Sequence, residues 1–234
     1  MSKQPVVTAE SYERWRASSL GRITETVESD LILALAGPLA AKRVLDVGAG
    51  DGAYAMAAAS RGAVVTALDP QQEMLDATRR RSTQAGLAIR LRRGRVEALP
   101  FGDHSFDVVI AVTVLCFVPD ARTAVREMAR VLVPGGRLVV GELGRCSVWA
   151  AVRRVRGWLG AETWASAHFW SRRELIELIQ AAGLRVDVVR GAVFYPPSGV
   201  AARVLAPIEP LLTRFRAPGA AFLAVAADRP EDHS

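Results

Sequence analysis

The chain is poor in cysteine, almost devoid of lysine and without a long apolar run, and each shortage excludes a class of protein. Its two cysteines, Cys116 and Cys146, cannot build a disulfide framework. With no CxxC and no Cys/His cluster, no metal site is expected. No apolar stretch approaches the roughly 18 residues needed to span a bilayer, so no transmembrane segment is expected. The opening residues Met1-Ser2-Lys3-Gln4-Pro5 lack the apolar centre of a secretory signal, which makes a cytoplasmic location the expectation. Lys3 and Lys42 are the only lysines, so arginine carries the net charge of +6. There is no aromatic-rich basic strand and no cationic tail, and a nucleic-acid partner is not expected. Disorder is excluded for most of the 234 residues, because half of them are hydrophobic; that length suits one α/β domain with a sizeable core.

What is present centres on Val44-Leu45-Asp46-Val47-Gly48-Ala49-Gly50-Asp51-Gly52-Ala53-Tyr54. An apolar run enters a turn with glycine at alternate positions, then a helix. Without Cβ atoms on that turn a ligand can lie on the backbone, facing the free N–H groups of the helix start. Asp69 ends the next apolar run, Ala63 to Leu68, where its carboxylate can accept from both hydroxyls of a ribose. Together these predict a pocket for an adenosine-containing cofactor. A dinucleotide site would show G-x-G-x-x-G. Here the spacing is G-x-G-x-G, and Asp46 precedes the first glycine by two residues. A carboxylate there repels a pyrophosphate but suits the sulfonium and ammonium groups of S-adenosylmethionine.

Strands are expected at 43–48, 63–69, 88–94, 106–112 and 137–143, and helices at 52–60, 71–85 and 120–132. The first 20 residues and Ile23 to Ala36 read as helical, with Gly37-Pro38 as a stop. Ser171-Arg172-Arg173-Glu174 is a capping-box pattern opening a helix over 172–182, closed by Gly183. Two last strands are expected in 184–194 and 220–228. Alternating strands and helices imply a doubly wound, Rossmann-like α/β fold with helices on both faces of the sheet.

Four segments resemble, in order and spacing, the class I S-adenosylmethionine-dependent methyltransferases, in particular the small-molecule group that includes the ubiquinone and menaquinone enzymes. They are Leu45 to Gly52; Leu68-Asp69-Pro70 with Met74-Leu75; Leu99-Pro100-Phe101-Gly102-Asp103-His104-Ser105-Phe106-Asp107-Val108-Val109; and Glu127-Met128-Ala129-Arg130-Val131-Leu132-Val133-Pro134-Gly135-Gly136. The resemblance runs from about Tyr12 to the end. It implies seven strands in the order 3-2-1-4-5-7-6, the last antiparallel. It also implies a single domain over 1–234: a helical cap at 1–40, a cofactor-binding core at 41–143, insertions over the carboxyl edge of the sheet at 144–170 and 195–217, and a closing helix and strands at 171–194 and 218–228.

In that resemblance Gly48, Ala49, Gly50 and Gly52 cradle S-adenosylmethionine. Asp46 meets its methionine end, Asp69 its ribose, and Pro70 and Met74 flank its adenine, although Met74 equally suits a core position. Tyr12, on a closing helix, meets the amino-acid carboxylate. The Gly94-Arg95-Val96-Glu97 segment departs from the family pattern, since Arg95 stands where an aspartate near the adenine amino group is usual. Arginine accepts no hydrogen bond. The Val96 N–H can still reach an adenine nitrogen, with Arg95 stacked on the ring or turned to solvent. Val112, Cys116 and Phe117, at the end of strand four, are expected beside the reacting sulfur.

The acceptor side is less determined. Trp149, Trp158, Trp164, Phe169 and Trp170 crowd one insertion, and Phe194-Tyr195 ends strand six. With Trp15, Trp149, His168 and Tyr195 as wall residues they suggest an aromatic, quinone-like or lipid-like acceptor; packing of the lid or a dimer seam is the other use of such rings. No convincing base is evident: His168 and Glu142 are the candidates, and His104 reads as a surface residue. The basic amphipathic run Val152 to Leu159 suits a solvated face or transient contact with an anionic membrane surface. The function implied is methyl transfer from S-adenosylmethionine to a small molecule by a monomer or homodimer. A catalytically silent cofactor-binding homologue and a nicotinamide-dependent oxidoreductase are the alternatives.

Overall fold

The computed structural model describes residues 9–231 apart from 162, 163, 165 and 216. Its centre is a seven-stranded sheet, β1 Arg43–Val47, β2 Val64–Asp69, β3 Ile89–Arg93, β4 Phe106–Val112, β5 Leu132–Leu143, β6 Arg185–Ala192 and β7 Phe222–Asp228, in the order β3-β2-β1-β4-β5-β7-β6. All pairs are parallel except those of β7, which runs antiparallel to both β5 and β6. The order and the inverted strand are those expected.

Around the sheet lie α1 Ala9–Ala17, α2 Ser19–Ala36, α3 Ala53–Ala59, α4 Gln72–Gln84, α5 Ala121–Val131, α6 Val148–Trp158, α7 Arg172–Gln180, α8 Gly199–Leu205 and, after one 3₁₀ turn, α9 Glu209–Arg214. Strands buried on both faces must be apolar at every position. In β1 the odd residues Leu45 and Val47 join one core with Val109, Met128, Leu138 and Ile179, under α5 and α7. Val44 joins the other with Ile32, Ala55, Val65 and Ile110, under α2 and α3. Asp46 is the exception in this run. It falls on the α3 side, at the carboxyl end of the strand, and marks the site.

The signatures before β4 and β5 are structural. Arg130 donates to the carbonyls of Leu99 and Phe101 and pairs with Asp103 and Glu127, while Glu127 accepts from the Leu99 N–H at 2.8 Å. The leucine-proline-phenylalanine loop is thereby fastened to α5. The capping box at Ser171 and Glu174 forms as expected. Two boundaries differ from expectation by four residues or more. The second helix starts at Ser19, not Ile23, because Ser18 caps it by accepting from the Gly21 N–H at 2.9 Å. The fifth strand starts at Leu132, since the Pro134-Gly135-Gly136 bend is bonded in both directions to Arg229 rather than leaving the sheet. None of the described helices is long and apolar enough to cross a membrane.

Candidate cofactor and acceptor site

The loop after β1 reverses the chain through three left-handed glycines. Two of them do different work. A Cβ on Gly48 would stand 2.5 Å from Val114 Cγ2, so this glycine allows the β1 and β4 ends to approach. A Cβ on Gly50 would meet nothing within 4 Å, so this glycine keeps a space open. Gly50 is also held at both backbone atoms. Its N–H donates to Asp69 Oδ2 at 2.9 Å, and its carbonyl accepts from Thr78 Oγ1 at 2.9 Å. Ala49 is bonded across to the Leu68 carbonyl, and Gly52 precedes α3.

Asp69 is 5% exposed; its other oxygen accepts from the Gln71 N–H at 2.8 Å. Burial raises its pKa, and the two backbone bonds oppose that rise. A carboxylate has about four acceptor sites, so two N–H partners leave capacity for two hydroxyls. Asp46 is 1% exposed, and its Oδ2 has no partner among the described residues. Burial pushes its carboxyl up to about 8; an Ala55 backbone bond pulls it down, and Asp69 and Asp51 add to the rise. A buried oxygen without a donor is unfavourable, and an unpartnered carboxyl oxygen is suited to a cationic ligand group.

Asp51, which the sequence reading passed over, fastens the loop from outside. It is 2% exposed, paired with Arg16 of α1 and, at 2.9 Å, with Arg81 of α4. Arg16 pairs in turn with Glu25 of α2 at 2.8 Å. Tyr12, one turn before Arg16, packs with Met74 and Ala77 and bonds the side chain of Thr113; burial raises its hydroxyl above the ordinary value. Thr113 has a φ of 53°, uncommon for a residue other than glycine. Met74 is buried and Pro70 half-buried beside Asp69. Arg95 is turned outward: it is 54% exposed and pairs with Glu97 at 3.1 Å, while Val96 is buried. Of the two placements expected for Arg95, the side chain takes the solvent-facing one.

On the acceptor side, Val112 and Cys116 are buried and Phe117 is half-buried against Trp164. Glu142 is fully buried and receives the N–H groups of Val114, Leu115 and Cys116 at 3.0, 2.7 and 3.1 Å. Burial pushes it up to about 7 against those bonds and one from the Cys116 thiol. Its bonds make it the anchor of the β4 turn, not a base free to reach an acceptor. The Cys116 thiol is raised well above its ordinary value by burial and Glu142, which leaves it un-ionised. His168 is exposed, its ring 4.3 Å from Trp170 and its N–H on the Cys116 carbonyl. It braces the insertion from its outer side.

Tyr195 is 1% exposed and bonds Thr24 at 3.0 Å; its carbonyl accepts from Trp149 Nε1 at 2.7 Å. It therefore supports the wall from behind. Trp149 meets Trp15 edge-on at 5.9 Å, which joins α6 to α1. Arg153 lies over Trp149 and Trp164, 4.9 and 4.7 Å from their centroids. Glu28 of α2, half-buried, faces this group. Burial pushes its carboxyl up to about 7, Arg153 lowers it and Glu25 raises it. Glu28 was legible in principle: it stands four residues from both Thr24 and Ile32, buried positions of α2, and so is an acid on the helix's inward stripe.

A Rossmann-like sheet with an open glycine turn and two buried aspartates, Asp46 and Asp69, at its carboxyl edge defines the class of nucleotide-binding α/β proteins. The comparisons narrow the class. The methyltransferase domain family matches residues 45–140. A ubiquinone biosynthesis O-methyltransferase of Idiomarina loihiensis is 34% identical over 164 residues, covering 68% of each chain. An uncharacterised protein of Mycobacterium tuberculosis is 34% identical over 186 residues; the match covers 76% of this chain but only 65% of that relative's length. In fold, an S-adenosylmethionine-dependent methyltransferase of Thermotoga maritima, described as a possible histamine N-methyltransferase, superposes with a TM-score of 0.71 at 24% identity over 94% of this chain and 95% of that one. The chain belongs to the class I S-adenosylmethionine-dependent methyltransferases, and S-adenosylmethionine is the cofactor that its site fits.

Proposed function

We propose that this protein transfers the methyl group of S-adenosylmethionine to a small, largely apolar acceptor of aromatic, quinone-like or lipid-like character, in the cytoplasm. The observation that carries the reading is Asp46 Oδ2, buried without a partner among the described residues at the end of the strand that leads into the glycine turn. In this reading Gly50 and Asp69 hold the ribose, Asp46 meets the cationic methionine end, and Tyr12 with α1 covers it. The bound cofactor supplies an activated methyl on a sulfonium, so the chain's task is alignment and exclusion of water. Trp15, Trp149, Phe117 and Trp164 supply flat apolar surface for the acceptor, and the likeness to a ubiquinone biosynthesis enzyme supports such a ligand. Where the acceptor's nucleophile carries a proton, Glu28 takes it: its carboxyl titrates near neutral pH, where a general base is most useful.

The end of α6 extends the apolar surface outward: Trp158 is 86% exposed and Leu159, which follows the helix, 81% exposed, next to Arg154 and Arg156. This supports a lipid-like acceptor presented at an anionic membrane surface. The test of the central reading is calorimetric titration with S-adenosylmethionine, S-adenosylhomocysteine and NADH, followed by turnover with aromatic and lipid-like acceptors. Binding of the first two and formation of S-adenosylhomocysteine are expected. Binding without turnover on any acceptor returns the silent homologue, and binding of NADH alone returns the oxidoreductase.

A further inference from the structure

Arg153 is a cation in an unusual position. It sits on the second turn of α6, half-buried, with its guanidinium over two indole faces. Most other arginines that touch the core are matched to acids, as Arg16 is to Asp51 and Arg130 to Glu127. Arg153 has no ion pair and no hydrogen bond to any described residue; its recorded contacts are the two rings. Its field reaches Glu28, Tyr12 and Cys116, three groups on three different elements. The two rings beneath it also meet Trp15 and Phe117, which places it at the aromatic wall, and burial lowers its pKa from the ordinary arginine value.

Removing a cation from water without a partner is unfavourable. Contact with the faces of Trp149 and Trp164 recovers part of the loss. A guanidinium whose partners are ring faces keeps its N–H donors for a planar or tetrahedral oxyanion, which it can bind in a bidentate way. Glu28 does not take that role: it forms no ion pair with Arg153, and its carboxyl is half-protonated near neutrality.

We infer that Arg153 is the acceptor's recognition point, and that the acceptor carries an oxyanion, a carboxylate or a phosphate, on the part of the molecule away from the methylated atom. The inference rests on the methyltransferase reading for the identity of the ligand as an acceptor, but the anion site itself does not need turnover to be seen.

The experiment is a tryptophan-fluorescence titration of the full chain saturated with S-adenosylhomocysteine, since Trp149 and Trp164 report on the guanidinium between them. The probes are benzoate, phenyl phosphate and the neutral benzamide. Benzoate or phenyl phosphate is expected to bind at least about 10-fold tighter than benzamide, the value of one charge-assisted pair. Preference for benzoate marks a carboxylate acceptor, and preference for phenyl phosphate a phosphorylated one. Arg153→Gln is expected to abolish the preference, and Arg153→Lys to restore part of it, because charge survives but the planar fork does not. Equal binding of the three probes, no binding of any, or a preference that persists in a folded Arg153→Gln protein overturns the inference. The wild-type comparison stands even if the variant fails to fold. Calorimetry with S-adenosylhomocysteine, run separately, reports the methyltransferase reading: a protein that binds it yet shows no anion preference loses the Arg153 site alone.

Discussion

The two halves of the cleft satisfy their polar groups in opposite ways. On the cofactor side nearly every charge is spoken for. Asp69 holds two backbone N–H groups and Asp51 two arginines. Among the described residues one oxygen, Asp46 Oδ2, is left over. On the acceptor side Glu142 is bonded to the β4 turn, but among the described residues Arg153 has ring contacts and no ion pair or hydrogen bond, and Glu28 forms no ion pair with the Arg153 that lowers its carboxyl. A rigid, pre-bonded half is what a constant ligand requires. An aromatic half with unmatched charges is where an acceptor's own chemistry has to complete the set.

Glycine substitutions break this comparison most sharply. Gly48→Ala is expected to lower stability by about 2 kcal/mol, from a left-handed backbone plus the Val114 collision, with loss of cofactor binding. Gly50→Ala meets no protein atom and is expected to lower stability by about 1 kcal/mol through its φ alone, while still blocking the cofactor. Denaturant melts beside S-adenosylhomocysteine calorimetry check both; equal stability losses would mean that Gly50 has no empty space before it. Asp69→Ala comes next, with cofactor affinity expected to fall by about 1–3 kcal/mol through lost hydrogen bonds to charge.

The titrating acids sharpen the contrast by pH. Asp46 is largely protonated at pH 7 in the free protein, since its carboxyl is pushed up to about 8. A bound cation favours its ionised form. Binding of S-adenosylmethionine therefore releases a proton, and affinity weakens as pH falls below about 8, by up to roughly tenfold per pH unit. Asp46→Asn removes that dependence; calorimetry across pH and in buffers of different ionisation enthalpy measures it. On the other side, kcat/KM for an acceptor that must lose a proton rises with pH through about 7 as Glu28 ionises, and Glu28→Gln flattens that rise. The smallest effect is that of Trp158→Ala. At 86% exposure it leaves stability within about 0.5 kcal/mol, but lowers sedimentation with anionic vesicles. Unchanged sedimentation removes the membrane-surface role.

How much of this was legible followed from distance along the chain. Asp46, Gly48, Gly50 and Asp69 stand at the ends of two neighbouring strands whose residues are buried on both faces, so an apolar run and a turn announced them together. Asp51 stood in plain view within the same loop, but its partner Arg16 is 35 residues away on a different helix, and no local pattern joins them. The start of β5 was missed because Pro134-Gly135-Gly136 reads as a terminator, whereas Arg229 of the C-terminal segment bonds both sides of the bend. Glu142 and His168 were chosen by residue type and place in the order of elements. Type does not show that three N–H groups already occupy the one, or that the other lies outside on Trp170. Arg153 was read as one of several cations on an amphipathic helix, and only the folded arrangement separates it from Arg154 and Arg156.

The short helix α1 gives the cleft a thermodynamic property. Two adjacent residues of that helix reach opposite halves: Arg16 grips Asp51 beneath the glycine turn, and Trp15 meets Trp149 of the lid. Whatever settles α1 from one side settles it for the other. A ligand in either half is therefore expected to feel the other through one nine-residue lever, and such a linkage is reciprocal: the factor by which cofactor strengthens acceptor binding is the factor by which acceptor strengthens cofactor binding.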